Sequence, residues 1–158
     1  MHPEIARFWE LNRMYIGLRD KLFDHINDAD LAFSPGGHNP TLGELCRELG
    51  ETQQAYAQSF HNFKIDFSWR SEDDRYLRNS AALQEWYAQL DAELEAALRT
   101  VTDDDMRSKK MDRDGYEVEL HISLDIFREA LLIFYGKVSV YMKAMGKQPQ
   151  GMWKDWIG

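Results

Sequence analysis

Residues 123–145 carry two apolar stripes at helical spacing, and that double face narrows what the chain can fold into. Ile126, Ala130, Phe134, Tyr141 and Met145 form one stripe; Leu124, Phe127, Leu131, Tyr135, Val138 and Met142 form the other. A helix this apolar must be covered on more than one side. The cover is expected from partner helices together with extended segments and the tail holding Met152, Trp153, Trp156 and Ile157, or from a second subunit. Gly146 predicts the helix end, with Pro149 just beyond it.

Three earlier stretches predict the partners. Ile5, Phe8, Leu11, Tyr15, Leu18, Leu22 and Ile26 recur at steps of three and four, which predicts a first helix of about seven turns. After a Pro- and Gly-rich loop over 33–40, Thr41 and Glu44 have the spacing of a reciprocal helix cap. A second helix follows with Leu42, Leu45, Leu49, Thr52, Tyr56 and Phe60 or Phe63 inward, ending near Asn62. Leu83, Tyr87, Leu90, Leu94, Ala97 and Val101 predict a third helix from Ser80, at the spacing of bundle packing. Between the helices, Phe63, Ile65, Phe67 and Trp69 alternate with polar residues and predict an extended cover for the bundle. Asp112-Arg113-Asp114-Gly115 is a turn signal before the alternating Tyr116, Val118, Leu120 and Ile122, so a short hairpin is expected before the last helix. Together these predict an all-α, up-down-type four-helix bundle. With 158 residues, 44% of them hydrophobic, it is expected to be one domain spanning 1–158.

Charge and cysteine usage limit the functional classes. The net charge of −8 repels a phosphate backbone, and the basic residues Arg107, Lys109, Lys110 and Arg113 are interleaved with Asp103, Asp104, Asp105, Asp112 and Asp114. No nucleic-acid partner is expected. No apolar run approaches the roughly 18 residues of a membrane span, and Met1-His2-Pro3-Glu4 does not open like a secretory signal. The lone Cys46 can form no internal disulfide and reads as packing. These features predict a cytoplasmic protein with no membrane partner.

Two stretches resemble a known family: Leu31-Ala32-Phe33-Ser34-Pro35 leading through Thr41-Leu42-Gly43-Glu44-Leu45, and the end of the last helix from Gly136 to Gly146. Both are similar to the DinB/YfiT-like superfamily of bacterial four-helix bundles, and with the helix order the resemblance covers nearly the whole chain. It implies a divalent metal, often zinc or nickel, held by one histidine on the second helix and a His-x-x-x-His pair on the last. Residues four apart on a helix can grip one ion. Counting from Gly136 and Gly146 puts the implied pair at Ala130 and Phe134, which lack donor atoms; counting from Thr41 puts the third position at Glu48, which would ligate alone. His121 precedes Ala130 by nine residues, roughly 13 Å along a helix. His2, His25, His38 and His61 do not pair at ligand spacing. No metal or other cofactor is expected.

Glu48 sits among Leu45, Leu49 and Thr52, on or beside the inward face. It reads either as a ligand-binding carboxylate or burial-tuned base at a pocket mouth, or as a carboxylate paired at the core margin with Arg47 or Lys137. Glu44, Glu48 and Glu51, and Asp125 with Glu129, read as solvated or salt-bridged faces, since the Glu-x-x-His motifs of a dinuclear centre are missing. No nucleophile elbow or phosphate loop is present. Three functions remain: a non-catalytic or small-ligand-binding bundle with Glu48, Ala130 and Phe134 around the former metal site; an enzyme resembling the family's metal-dependent thiol transferases or hydrolases, rebuilt around Glu48; or a structural or interaction protein acting as a homodimer. The surplus apolar surface of the last helix and the aromatic tail favour a homodimer.

Overall fold

In the computed structural model, which describes residues 1–157, ten short and long elements follow one another. They are α1 (Pro3–Leu22), α2 (Asp28–Leu31), α3 (Leu42–Asn62), a 3₁₀ turn (Asp74–Leu77), α4 (Ser80–Arg99), α5 (Asp103–Ser108), β1 (Met111–Asp112), β2 (Glu117–Val118), α6 (Leu120–Ala144) and α7 (Gly151–Trp156). The four long helices are α1, α3, α4 and α6, which makes the all-α bundle expected from their apolar stripes. None of the described helices is long and apolar enough to cross a membrane.

The helices surround the core in the order α1, α4, α3, α6, with α6 closing back on α1. Side-chain contacts set their directions. His121 at the start of α6 meets Glu4 at the start of α1, at 3.4 Å, and Lys147 just past the end of α6 reaches the His25 carbonyl, so α1 and α6 are parallel. Gln53 and Cys46 of α3 meet Asp91 and Tyr87 of α4 in the same chain sense, so this pair is parallel too. Tyr141 near the end of α6 bonds the Pro40 carbonyl just before α3, at 2.7 Å, so α3 and α6 are antiparallel. The order is therefore up, down, down, up, without strict alternation.

That order explains the extended segment after α3. A parallel neighbour requires the chain to travel back the length of α3, about 30 Å at 1.5 Å per residue, and an extended chain covers that in about ten residues. The return starts at Phe63, whose left-handed backbone (φ 56°) ends the helix. It then passes Tyr56 with Phe67 at 6.0 Å and Glu51 with Ser71, and reaches Gly43 with Leu77. Ile65 is buried, whereas Phe67 and Trp69 are 45% and 49% exposed, so the cover is partial.

Two glycines of α3 are required by close approach. A Cβ on Gly43 would meet the Leu77 carbonyl oxygen at 2.1 Å, and one on Gly50 the Trp86 ring at 2.3 Å. Trp86 is in turn stacked on Tyr76, 4.1 Å between centroids.

Local signals behaved as chemistry requires. Thr41 Oγ1 accepts from the Glu44 amide at 3.1 Å while Glu44 accepts from the Thr41 amide at 2.7 Å, the expected cap. Asp114 and Gly115, at φ 51° and 114°, turn the hairpin, and Met111 pairs with Val118. Every inward residue expected on α4 is buried.

Four expectations change. α1 stops at Leu22, short of Ile26, because the chain turns into α2, capped by Asn27. Leu11 is 39% exposed; the buried face of α1 is Ile5, Trp9, Asn12, Ile16, Leu18, Arg19 and Leu22. Asn12 can be buried because its amide donates to the Phe8 and Leu124 carbonyls, at 2.9 and 3.2 Å. α6 begins at Leu120, so Leu120 and Ile122 are helical and the hairpin is shorter. The tail folds back as α7 against α1, where Trp153 is fully buried and donates its indole N–H to the Leu18 carbonyl at 2.7 Å. Trp153 thus covers its own chain, while Met152 and Trp156 stay 47% and 61% exposed; loss of Trp153 would cost about 3–5 kcal/mol.

Candidate functional site

α3 and α6 run antiparallel, and each presents residues at i, i+3, i+4 and i+7 to the groove between them, the spacing that keeps side chains on one helical face. From α3 come Leu45, Glu48, Leu49 and Thr52; from α6 come Ala130, Ile133, Phe134 and Lys137. They line an open cleft of about 150 Å³. The three positions expected from the sequence, Glu48, Ala130 and Phe134, thus meet at one place.

Burial divides the cleft by depth. Leu45, Leu49 and Phe134 are buried and make its apolar interior, with Phe134 edge-on to Tyr135 at 5.7 Å. Glu48, Ile133 and Lys137 are exposed and form the rim. Phe134 narrows the space without filling it.

Glu48 is exposed on the cleft rim, at the mouth of the pocket, and is not paired at the core margin. Neither suggested counter-ion reaches it, and among the described residues it forms no ion pair. Arg47 turns instead to Glu51, at 3.5 Å. Glu51 is the buried carboxylate of the stripe, 7% exposed; it also meets Arg70 at 3.6 Å and accepts from the Ser71 amide at 3.0 Å, pinning the returning segment to α3. A second cleft, also about 150 Å³, continues from Glu48 and Thr52 to Glu51, Phe67 and Arg70.

The cleft does not fit a three-ligand metal. Its counted positions offer one carboxylate, a methyl group and a phenyl ring, and a tetrahedral ion needs at least three donors from the protein. Among the described residues, no three His, Cys, Asp or Glu side chains gather as possible ligands. His121 lies at the far end of α6, against Glu4 and the Phe8 ring, 5.0 Å away.

Two polar arrangements had no periodic signal in the sequence. Arg19, from α1, is buried and held by Asp91, Asp20 and Gln53 over the face of Tyr87, 4.3 Å from its centroid. Arg113, on the hairpin, lies between Tyr56 and Tyr116. A turn signal marked the hairpin, but nothing in the spacing marked which cation it would turn inward.

No family model matches the chain, and no curated protein matches it in sequence. Among solved structures, the crystal structure of YjoA, a DinB-like protein from Bacillus subtilis, is similar, with a TM-score of 0.65. The two share 16% identity, over 95% of this chain and 96% of that one. The chain has the DinB-like fold, as the resemblance of its two stretches implied.

Proposed function

Taking the DinB-like fold as the starting point, we propose that this protein is a non-catalytic, small-ligand-binding bundle whose ligand enters the α3–α6 cleft. The observation that carries the reading is the convergence of Glu48, Ala130 and Phe134 on one open cleft with an apolar interior and a rim of opposite charges, Glu48 and Lys137. The former metal position, on this reading, has become an apolar subsite, with Ala130 and Phe134 where the family places histidines. At about 150 Å³ the cleft is below the usual 300–1,000 Å³ of ligand pockets, so the ligand is small, or only its apolar end is enclosed.

A homodimer belongs to the same reading. Leu132, Ile133 and Val140 on α6 are 42%, 60% and 59% exposed, and Ile133 also lines the cleft, so a second copy on this face would border the site. A cytoplasmic location is supported by the lone buried thiol of Cys46.

The test combines elemental analysis of untagged protein grown with added metals and ligand-observed NMR screening of small apolar acids and amines. The reading expects negligible metal and hits that vanish when Ala130→Trp fills the cleft. About one bound metal per chain, lost in Glu48→Ala, would overturn it and make hydrolysis and thiol-transfer assays worthwhile.

A further inference from the structure

We propose that Arg113 and the cleft beside it form a second binding site, independent of the α3–α6 cleft, for a small organic carboxylate with an aromatic body. Four arginines of this acidic chain are not exposed: Arg19, Arg47, Arg113 and Arg128. Arg19 pairs with Asp91, Arg47 with Glu51 and Arg128 with Asp125. Arg113 alone among them has no carboxylate within ion-pair distance among the described residues. Its Nε donates to the Tyr116 hydroxyl at 3.0 Å and its Nη2 to the Tyr56 hydroxyl at 3.1 Å, both neutral acceptors. Nη1 is buried and has no acceptor. A shielded guanidinium with an orphan N–H is costly to keep, and a carboxylate supplied from outside removes that cost.

The surroundings decide what kind of anion. Arg113 lines a cleft of about 540 Å³, within the range of small-molecule sites. Phe67 and Tyr116, 45% and 55% exposed, present ring surface on its walls. Lys64 adds a second cation, offset by Asp66, whose carboxylate accepts from the Ser68 amide at 2.8 Å. Asp114 also lines the cleft. With Lys64 set against Asp66, one guanidinium beside the Asp114 carboxylate suits a monoanion better than a phosphate dianion. The two exposed rings suit an aromatic body, and Arg113 lies over the Tyr56 and Tyr116 rings at 5.4 and 5.9 Å, within cation–π reach. A carboxylate on the buried Nη1 would displace a neighbouring side chain, for which Tyr116, bonded to Arg113 Nε and 55% exposed, has solvent space.

The hairpin provides the rigidity. Arg113 N donates to the Tyr116 carbonyl at 2.9 Å, and the hairpin is tied to the returning segment by the Ile65 amide donating to the Asp112 carbonyl and the Asp112 amide to the Phe63 carbonyl, each at 2.9 Å. The cleft therefore lies between two segments that hold each other.

Benzoate is the probe, with inorganic phosphate as comparator, and binding to the full chain is followed by calorimetry and by NMR of the Arg113 Nε–H signal. Saturable benzoate binding that shifts this signal is expected, weakened about tenfold in Arg113→Met through loss of a charge-assisted contact. Arg113→Lys, which keeps the charge without the fork, should also weaken it, and Glu48→Gln should leave it unchanged. Thermal melts establish that both arginine variants are folded. Absence of benzoate binding, equal binding in Arg113→Lys, or phosphate binding as tightly would overturn the proposal. Loss in Glu48→Gln would move the ligand to the α3–α6 cleft and overturn it as well, while leaving the reading of that cleft standing.

Discussion

Arg19 and Asp91 form a two-point ion pair across α1 and α4: Nη1 to Oδ1 at 3.0 Å and Nη2 to Oδ2 at 2.7 Å. The arginine side chain is 1% exposed and the aspartate 25%. Gln53 of α3 donates to the same Asp91 oxygen at 2.7 Å and accepts from Arg19 at 2.9 Å, so three helices meet at one guanidinium. Removing one partner from such a pair strands a buried charge. Asp91→Ala is expected to cost about 3 kcal/mol in urea unfolding, at the lower end for buried pairs because Asp20 still contacts Arg19. The double variant Arg19→Met with Asp91→Leu should be more stable than Asp91→Ala alone, since it leaves no charge stranded.

Gly50→Ala tests the contact between α3 and α4. The added methyl would sit 2.3 Å from the Trp86 ring, which is itself stacked on Tyr76. A loss of about 1–3 kcal/mol is expected in thermal or urea unfolding. Gly50→Ala combined with Trp86→Phe should recover part of it; no recovery would mean that the strain lies elsewhere.

Cys46 is fully buried, and burial pushes its thiol up to about 12. At pH 8 it stays protonated and out of reach. Native protein should therefore react negligibly with a disulfide reagent such as dithiobis-nitrobenzoate, and one thiol per chain should appear on addition of guanidinium chloride. Fast reaction of the native protein would show that α3 opens locally.

Acid should weaken the fold through its caps. The Asp28 carboxylate accepts from the Ser80 amide and hydroxyl, Glu44 from the amide and hydroxyl of Thr41, and Asp105 from the hydroxyl and amide of Thr102. These bonds lower all three carboxyl groups in the folded chain. A lowered folded value means that the stabilisation is complete above the unfolded value, about 4, and is lost as pH falls through the folded values. Urea midpoints should fall below about pH 4, and less steeply in the triple variant Asp28→Asn, Glu44→Gln, Asp105→Asn.

The features read well from sequence are those whose cause is local. The Thr41–Glu44 cap, the Asp114-Gly115 turn and the α4 stripe each depend on neighbours a few residues away. On α1 that logic held for Ile5, Leu18 and Leu22 but missed two of the seven buried residues, Asn12 and Arg19, because they are polar. Their hydrogen-bond partners, Leu124 and Asp91, lie on other helices, and hydrophobic spacing moved the inward face to Leu11 instead. Counting along two helices was enough to bring Glu48, Ala130 and Phe134 into one cleft. It could not show that Glu48 stays exposed while Glu51, one turn on, is buried under Arg70. That depends on where the returning segment crosses α3.

The return of the chain along α3 also divides the molecule in time. Contacts joining α3, the returning segment and α4 link residues about 40 apart, as Cys46 to Tyr87 and Gln53 to Asp91 do at separations of 41 and 38. Those seating α1 against α6 and α7 span 120 residues from Tyr15 to Tyr135 and 135 from Leu18 to Trp153. Closing the longer loops costs more entropy before any contact repays it. The middle of the chain is thus expected to gain amide protection first in pulsed hydrogen exchange, with α1, α6 and α7 closing over it as the final act of folding.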